Sequence, residues 1–452
     1  MTALYRYLPA HGQARLIGDH AVLSQSQLMA SATQLAGWLA DRDIRVLALY
    51  ADNCPQWLIV DLACQMAGCI LLPLPHFFSA RQIAHSLQQA GCCHWLVDQP
   101  AALTAKIGAP QHAAIEPVTG FTLGYRPLPE AGSAIPPGTG KITFTSGSTG
   151  HPKGVCLSNH SQLQVGRSLL DTLDAYQGDH LCLLPLSTLL ENIAGAYRAL
   201  LGGFTLHLPS AATLGFNGTA ANITRLCACI SDYRPATLIL VPELLRLLLS
   251  ACRQGWQPPD SLRFVAVGGA SVATESIAQA HDYGMPVYEG YGLSECCSVV
   301  SLNTPDRHRP GSTGTVLPHQ QAHESNGSIM VSGQCFLGYL GQPDSWHGRT
   351  VDSGDLGWLD SDGFLHISGR QKNLLISSFG RNIHPEWPET ALLACPLIRQ
   401  AVVFGDRQPF CCALLYADPA ATDEAIRTAI ATINRQLPDY ARIRRWHRLD
   451  QP

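Results

Sequence analysis

From about residue 45 the chain alternates short apolar runs with amphipathic stretches. Residues 45–50, 70–74 and 94–97 read as strands, and residues 56–67 and 80–90 between them read as helices. The alternation resumes farther on. Residues 181–184, 205–208, 237–241 and 264–267 are strand-like, separated by helical patterns around 190–201, 219–232, 242–254 and 272–282. Apolar strands joined by helices predict a doubly wound α/β sheet with parallel strands, buried on both faces. Ligands of such sheets sit beyond the carboxyl ends of the strands, which directs attention to the residues after the strand-like 141–145 and 264–267.

Beyond about residue 300 the pattern changes to short polar strands punctuated by glycines, as expected of a β subdomain. From Lys372 onward strand-like 401–404 and 411–416, a helical 422–436 and a basic end suggest a small α+β domain. With a boundary at residues 369–373, a large domain over residues 1–370 and a small, mobile one over 371–452 are expected. A chain of 452 residues exceeds what one core usually supports, which agrees with that division.

Composition narrows the chemistry. A net charge of −4 argues against a nucleic-acid surface, and the 18 histidines are scattered singly, so no zinc site is implied. The 16 cysteines occur as adjacent pairs or singly in apolar stretches, the pattern of small buried hydrophobes in a reducing compartment. The N-terminus lacks a basic-then-apolar leader, and the apolar stretch 238–252 is broken by Pro242, Glu243 and Arg246. A cytoplasmic protein without a membrane span is expected.

The densest chemical signal is Thr143-Phe-Thr-Ser-Gly-Ser-Thr-Gly-His-Pro-Lys-Gly154, a loop rich in hydroxyls and glycines that carries one lysine. Such a loop can curl its N–H groups around phosphate while Lys153 adds charge. It is not a Walker A loop, since Pro152 precedes the lysine and Gly154 follows it. Val267-Gly268-Gly269-Ala270 provides small residues on which a flat ring can lie. Tyr288-Glu289-Gly290-Tyr291-Gly292-Leu293-Ser294-Glu295 adds a carboxylate, and beside a polyphosphate Glu295 reads as a Mg²⁺ ligand; the alternative is a solvated glutamate at a helix start. Asp352-Ser353-Gly354-Asp355 offers Asp355 to both hydroxyls of a ribose, whereas Asp360 and Asp362 fit an exposed hairpin turn.

Taken in order, the glycine loop, Tyr291-Gly-Leu-Ser-Glu295, Ser353-Gly-Asp355 and Gly369-Arg370 resemble the acyl-adenylate-forming superfamily: acyl-CoA synthetases, peptide-synthetase adenylation domains and firefly luciferase. The resemblance implies that Thr145, Ser146, Gly147, Ser148, Thr149, Gly150 and Lys153 wrap the phosphates of ATP. It further implies that Gly268, Gly269 and Ala270 face adenine together with Tyr288, Glu289, Gly290, Tyr291 and Gly292, with Ser294 nearby, and that Glu295 holds Mg²⁺. Asp355 and Arg370 would hold the ribose, and Lys372 would be the hinge between two half-reactions. Gly380, Asn382 and Ile383-His384-Pro385-Glu386 would face the thiol-transfer conformation. Lys153, Thr149, Glu295 and Lys372 are the implied catalytic set. The implied reaction joins a carboxylic acid to ATP, giving acyl-AMP, and passes the acyl group to coenzyme A or a carrier-protein phosphopantetheine thiol.

Two departures from the family pattern stand out. Leu184-Pro-Leu-Ser-Thr-Leu-Leu-Glu191-Asn192 lacks the usual acyl-pocket histidine; Asn192 could bond near the carboxylate or join a buried polar cluster. The neighbourhood of Ile193, Val299 and Val300 suggests a medium or long fatty acid, while Glu191 keeps open an amino or aryl acid. The family's adenylation lysine follows a Pro-x-Tyr stretch; here Leu437-Pro438-Asp439-Tyr440 leads into Arg442, Arg444, Arg445 and Arg448 and stops at Pro452. A small domain truncated before that lysine, or lacking it, is expected, with the arginines as a solvated tail. A degenerate adenylate-binding protein is the corresponding non-enzymatic alternative.

Overall fold

The computed structural model describes residues 3–9, 14–145, 152–216 and 221–451. Among them nine strands form a sheet in the order Thr315–Val316, Ser298–Leu302, Val287–Leu293, Phe264–Val267, Thr237–Leu240, His180–Leu181, Leu206–Leu208, Arg15–Gly18 and Val22–Ser24. The six from Val287–Leu293 to Arg15–Gly18 are parallel, and antiparallel strands close both margins. An eight-stranded sheet runs Gly338–Tyr339, Lys153–Ser158, Thr139–Thr145, Ile70–Pro73, Val46–Tyr50, His94–Val97, Thr122–Tyr125 and His112–Ile115, again with a parallel centre. The doubly wound α/β expectation holds, together with the β subdomain, an antiparallel sheet of Gln320–Ser325, Ser328–Gly333, Thr350–Leu359 and Leu365–Arg370. No helix of the described residues is long and apolar enough to cross a membrane. All sixteen cysteines are free and most are buried.

The separate small domain has its own core, in which Ile398, Leu415, Ile426 and Ile443 are almost fully buried. The arginine-rich end is no solvated tail. Ile443–Arg448 pairs in parallel with Cys411–Ala417, and Arg442 Nε donates to the carbonyls of Asn434 (2.8 Å) and Leu437 (3.0 Å). Carbonyls at the end of helix Asp423–Gln436 need donors, and arginine supplies them.

Two local differences bear on the site. The strand expected at 181–184 stops at Leu181, because the Leu184 N–H donates to Glu191 Oε2 (2.9 Å) instead of a ladder partner. The helix expected at 190–201 is π-helical over Leu190–Tyr197 and α-helical over Arg198–Gly202. A π turn shifts every later side chain round the axis, which a 3.6-residue pattern does not anticipate.

That π segment is held by a buried ionic knot. Lys141 Nζ lies 3.0 Å from Asp61 Oδ2, 2.6 Å from Asn192 Oδ1 and 3.1 Å from Tyr197 Oη, and Tyr197 donates to the same carboxylate oxygen at 2.8 Å. Asn192 therefore belongs to the buried polar cluster. Burial lowers the Lys141 pKa, opposed by Asp61. Removing one partner of such a pair strands the other charge, at a cost of about 3–5 kcal/mol. Lys141→Met should lose about that much in chemical denaturation, and adding Asp61→Asn should restore at least half; a single variant as stable as wild type would contradict this account.

Candidate functional site

Strands Thr139–Thr145 and Lys153–Ser158 are antiparallel neighbours with Thr145 opposite Lys153, so the glycine loop closes a hairpin. Ser146, Gly147, Ser148, Thr149 and Gly150 lie outside the described residues. Thr145 is half-buried at the loop's start. At its end Gly154 is obligatory: a Cβ there would stand 2.9 Å from Leu340 Cβ. Strand Gly338–Tyr339 lies alongside, and Lys153 Nζ rests 5.0 Å from the centre of the Tyr339 ring. The Tyr339 hydroxyl in turn donates to Glu295 Oε1 at 2.8 Å. One phenol thus joins the loop lysine to the expected metal ligand, and Glu295 sits in a 3-10 turn, Ser294–Cys296, rather than at a helix start. The signal that could have found Tyr339 is its glycine-flanked run, Gly338-Tyr339-Leu340-Gly341.

Where parallel strands Phe264–Val267 and Val287–Leu293 end side by side, side chains are excluded by close backbone approach. A Cβ on Gly268 would lie 2.9 Å from Gly290 O, and one on Gly292 1.6 Å from Ser298 O. Gly269, with φ +87°, is in the left-handed region that glycine tolerates. Tyr291 leaves this junction and donates from its hydroxyl to Asp355 Oδ2 at 2.5 Å, while Arg370 Nε approaches Asp355 Oδ1 at 2.8 Å. Asp355 and Arg370 face each other across an antiparallel ladder, so the ion pair follows from the register. Burial raises the Asp355 pKa; the Tyr291 hydrogen bond and the Arg370 charge oppose it.

Two cavities meet at the glycine junction. A cleft of about 1480 Å³ is bordered by Gly269, Ala270, Glu289, Tyr291, Asp355 and Arg370 on the large domain and by His384, Glu386, Trp387 and Tyr440 on the small one. An inner cavity of about 260 Å³ is walled by Leu169, Leu173, Leu189, Ile239, Val299 and Leu302, with Ser294 at its rim. They share Gly269, Gly290, Tyr291 and Gly292. A flat polar molecule in the cleft and an apolar one in the cavity would touch there.

Not every expected residue joins this assembly. Strand alternation turns Tyr288 away from the cleft: its ring stacks on Phe264, with centroids 5.4 Å apart, and borders neither cavity. Of the apolar residues expected at the acyl pocket, Val299 lines the cavity, whereas Val300 belongs to the core beneath the β subdomain and Ile193 is buried off the cavity wall. Lys372 is exposed in the 3-10 turn Gln371–Asn373, beside the seam where Gly369 leaves room for His384 and Glu386. Asn382 and Ile383 pair with Leu375–Ile376, and Gly380 takes a left-handed turn.

Comparison with known proteins identifies the class. The model of the AMP-binding enzyme family matches residues 8–326, and that of the AMP-binding enzyme C-terminal domain matches residues 372–450. A long-chain-fatty-acid–CoA ligase of Mycobacterium bovis is 25% identical over 88% of this chain and 76% of its own length. A 2-succinylbenzoate–CoA ligase of Bacillus velezensis is 29% identical over 60% of this chain and 56% of its own. Among solved structures, o-succinylbenzoate CoA synthetase of Bacillus subtilis with its acyl-adenylate has a TM-score of 0.80 at 21% identity, covering 99% of this chain and 94% of that one. The anthranilate CoA ligase AuaEII with anthranoyl-AMP has a TM-score of 0.83 at 17% identity, covering 99% and 92%.

The cleft also makes a pH-dependent contribution to stability. Burial pushes the Glu289 carboxyl up to about 8, above its ordinary 4.5. The folded protein then binds more protons than the unfolded chain between those values, so this contribution is complete below about 4.5 and is lost as pH rises through about 8. Glu289→Gln mimics the protonated carboxyl. Its thermal midpoint should fall less than that of wild type between pH 5.5 and 8.5, and equal falls would place the proton elsewhere.

Proposed function

This chain belongs to the AMP-binding enzyme family, and we infer that it activates a carboxylic acid with ATP and transfers the acyl group to coenzyme A. The observation that carries this reading is the meeting of a large cleft bordered by Glu289, Asp355 and Arg370 with a mainly apolar cavity, at Gly269, Gly290, Tyr291 and Gly292. A nucleotide in the cleft and an acid in the cavity would bring carboxylate and α-phosphorus together. The relatives point to the same acceptor, since they are named as CoA ligases.

The residues divide the work. Gly269, Ala270 and Glu289 would form a low wall for adenine, against which Tyr291 can lie, whereas Gly268, expected there too, borders the inner cavity instead. Asp355 would accept from the ribose hydroxyls, a role supported by its orientation by Tyr291 and Arg370 at the edge of the cleft. Lys153 with the loop Thr145 to Gly150 takes the phosphates. A magnesium ion fits Glu295, an acceptor-only group held by Tyr339 next to that lysine, and when bound it would neutralise phosphate charge. The carboxylate is ionised at neutral pH and needs no general base; it attacks the α-phosphorus as pyrophosphate leaves, and a thiol then displaces AMP. Because two anions meet in the first step, preoriented cations and N–H donors supply most of the stabilisation. Lys372 would be the hinge between the two steps, a reading that its position in the turn leading into the small domain supports.

The inner cavity favours a fatty acid of medium length. Most of its wall is apolar and its about 260 Å³ is small for a ligand pocket. Glu191 does not serve an amino-acid substrate, since it is fully buried and already accepts from His180 and the Leu184 N–H.

Incubation with ATP, Mg²⁺, coenzyme A and a panel of fatty, aryl and amino acids should release AMP and pyrophosphate, with thioester highest for medium-chain acids. ADP formation, or no turnover with any acid, would overturn the ligase reading and favour a nucleotide-binding protein. Glu295→Gln should cut turnover by about 10² or more, the scale of losing one preorganised electrostatic element. An unchanged magnesium titration in that variant would remove Glu295 from the metal.

A further inference from the structure

The inner cavity is not apolar throughout. Arg198, His180 and Thr237 border it, and Glu191 stands behind them. These groups form a chain of hydrogen bonds. Arg198 Nη2 donates to Thr237 Oγ1 at 2.7 Å, His180 Nδ1 lies 2.9 Å from that hydroxyl, and His180 Nε2 lies 2.7 Å from Glu191 Oε1. A guanidinium only donates and a carboxylate only accepts, so Thr237 Oγ1 accepts from Arg198 and Glu191 accepts from His180 Nε2. The Asp179 carbonyl is farther from the Thr237 hydroxyl, at 3.5 Å. Gly195 makes room for the arrangement, because a Cβ there would stand 2.3 Å from Glu191 Oε1 and 2.5 Å from His180 Nε2.

Cys182 lies close to His180 and Glu191, yet this trio is no metal centre. The 2.7 Å between His180 Nε2 and Glu191 Oε1 is a hydrogen bond. Two tetrahedral ligands at about 2.0–2.1 Å from one ion would stand roughly 3.3 Å apart.

One donor in this chain is left over. Arg198 Nε donates to Ala194 O at 3.3 Å, but Nη1 has no hydrogen-bond partner among the described residues, although Arg198 is only 2% exposed. An unsatisfied buried guanidinium nitrogen is costly, and Ala194, Thr237 and Arg198 all border the cavity, so an acceptor held in the cavity would satisfy it. We propose that the acid accepted by this enzyme carries a second, uncharged oxygen at the end remote from its carboxylate, bound by Arg198 Nη1. This rests on the acid-activation reading above and adds the substrate class.

Position and charge define that oxygen. Thr237 pairs with Phe264 at the start of its strand, and Gly268 follows the strand's end; four residues at about 3.3 Å each separate the polar floor from the glycine junction by about 13 Å. The positive charge of Arg198 is already matched by the negative charge of Glu191 in the same buried cluster. A second carboxylate would leave a buried net negative charge, whereas a keto, hydroxyl or ether oxygen would not.

The test uses saturated acids of about six to twelve carbons, a range matched to that span. Each is compared with its terminal hydroxy, penultimate keto and dicarboxylic counterparts for thioester formation. Wild type should favour the hydroxy or keto acid over the plain one by about 10² in kcat/KM, because a site built to donate rejects an analogue that lacks the acceptor. Arg198→Met should reduce that ratio to within about threefold, and Arg198→Lys, which keeps a donor, should retain part of it. Equal use of plain and oxygenated acids by wild type, or an undiminished ratio in Arg198→Met, overturns the proposal; preference for the diacid overturns the charge balance. Calorimetric binding of the same acids without ATP or thiol separates the two readings. Selective binding of oxygenated acids without activation would sink the ligase reading and leave this one standing.

Discussion

The buried contact between Lys141 and Asp61 is the constraint from which the active region is built. Lys141 sits on the strand that leads into the glycine loop, Asp61 on helix Pro55–Ala67, and Asn192 and Tyr197 on the π-helical segment. Neither charge can be left unpaired away from water, so these elements cannot slide independently. The π segment serves two buried clusters at once: Asn192 turns toward Lys141, while its neighbour Glu191 turns toward His180 and the Leu184 N–H. The pair thereby connects strand Thr139–Thr145 with the wall of the inner cavity.

The second constraint is steric. At Gly268 and Gly292 the backbones of adjoining strands pass too closely for a Cβ, at Gly290 the Leu302 side chain and Ser301 O crowd the same space, and cleft and cavity join along this bare surface. Ser301 O and Leu302 press on Gly290, and Ser298 O on Gly292, so the opening is shaped by the antiparallel return of Ser298–Leu302. Polar groups around the opening are held in place: Asp355 by Tyr291 and Arg370, Glu295 by Tyr339. Such preorientation matters in a reaction between two anions, where reorganising donors during the step would raise the barrier.

Much of this was legible in the chain itself. Periodicity located strands 94–97 and 264–267 to the residue and the flanking helices closely, because strands in the middle of a sheet covered on both faces are mostly apolar. The glycine loop, Tyr291, Glu295, Asp355 and Arg370 declared themselves through residue types that phosphate, metal and ribose chemistry require. Tyr288 did not separate from Tyr291 in that reading, since both are aromatics in one glycine-rich run and only strand alternation assigns them to opposite faces. The arginines near the end looked like a solvated tail because the carbonyls that Arg442 and Arg448 meet are brought to them by the folding of the helix Asp423–Gln436 and the turn before it.

The sequence by itself determined the layered α/β architecture, the order of the chemical motifs and the membership of the family, because these depend on local periodicity and on residue types at short spacing. Tertiary structure alone decided the π-helical phase at 190–197, the buried partners of Lys141, the Tyr339 link between Lys153 and Glu295 and the open donor of Arg198. Each joins residues distant in the chain, and a buried charge or donor acquires its meaning only from the partners that the fold brings within hydrogen-bonding reach.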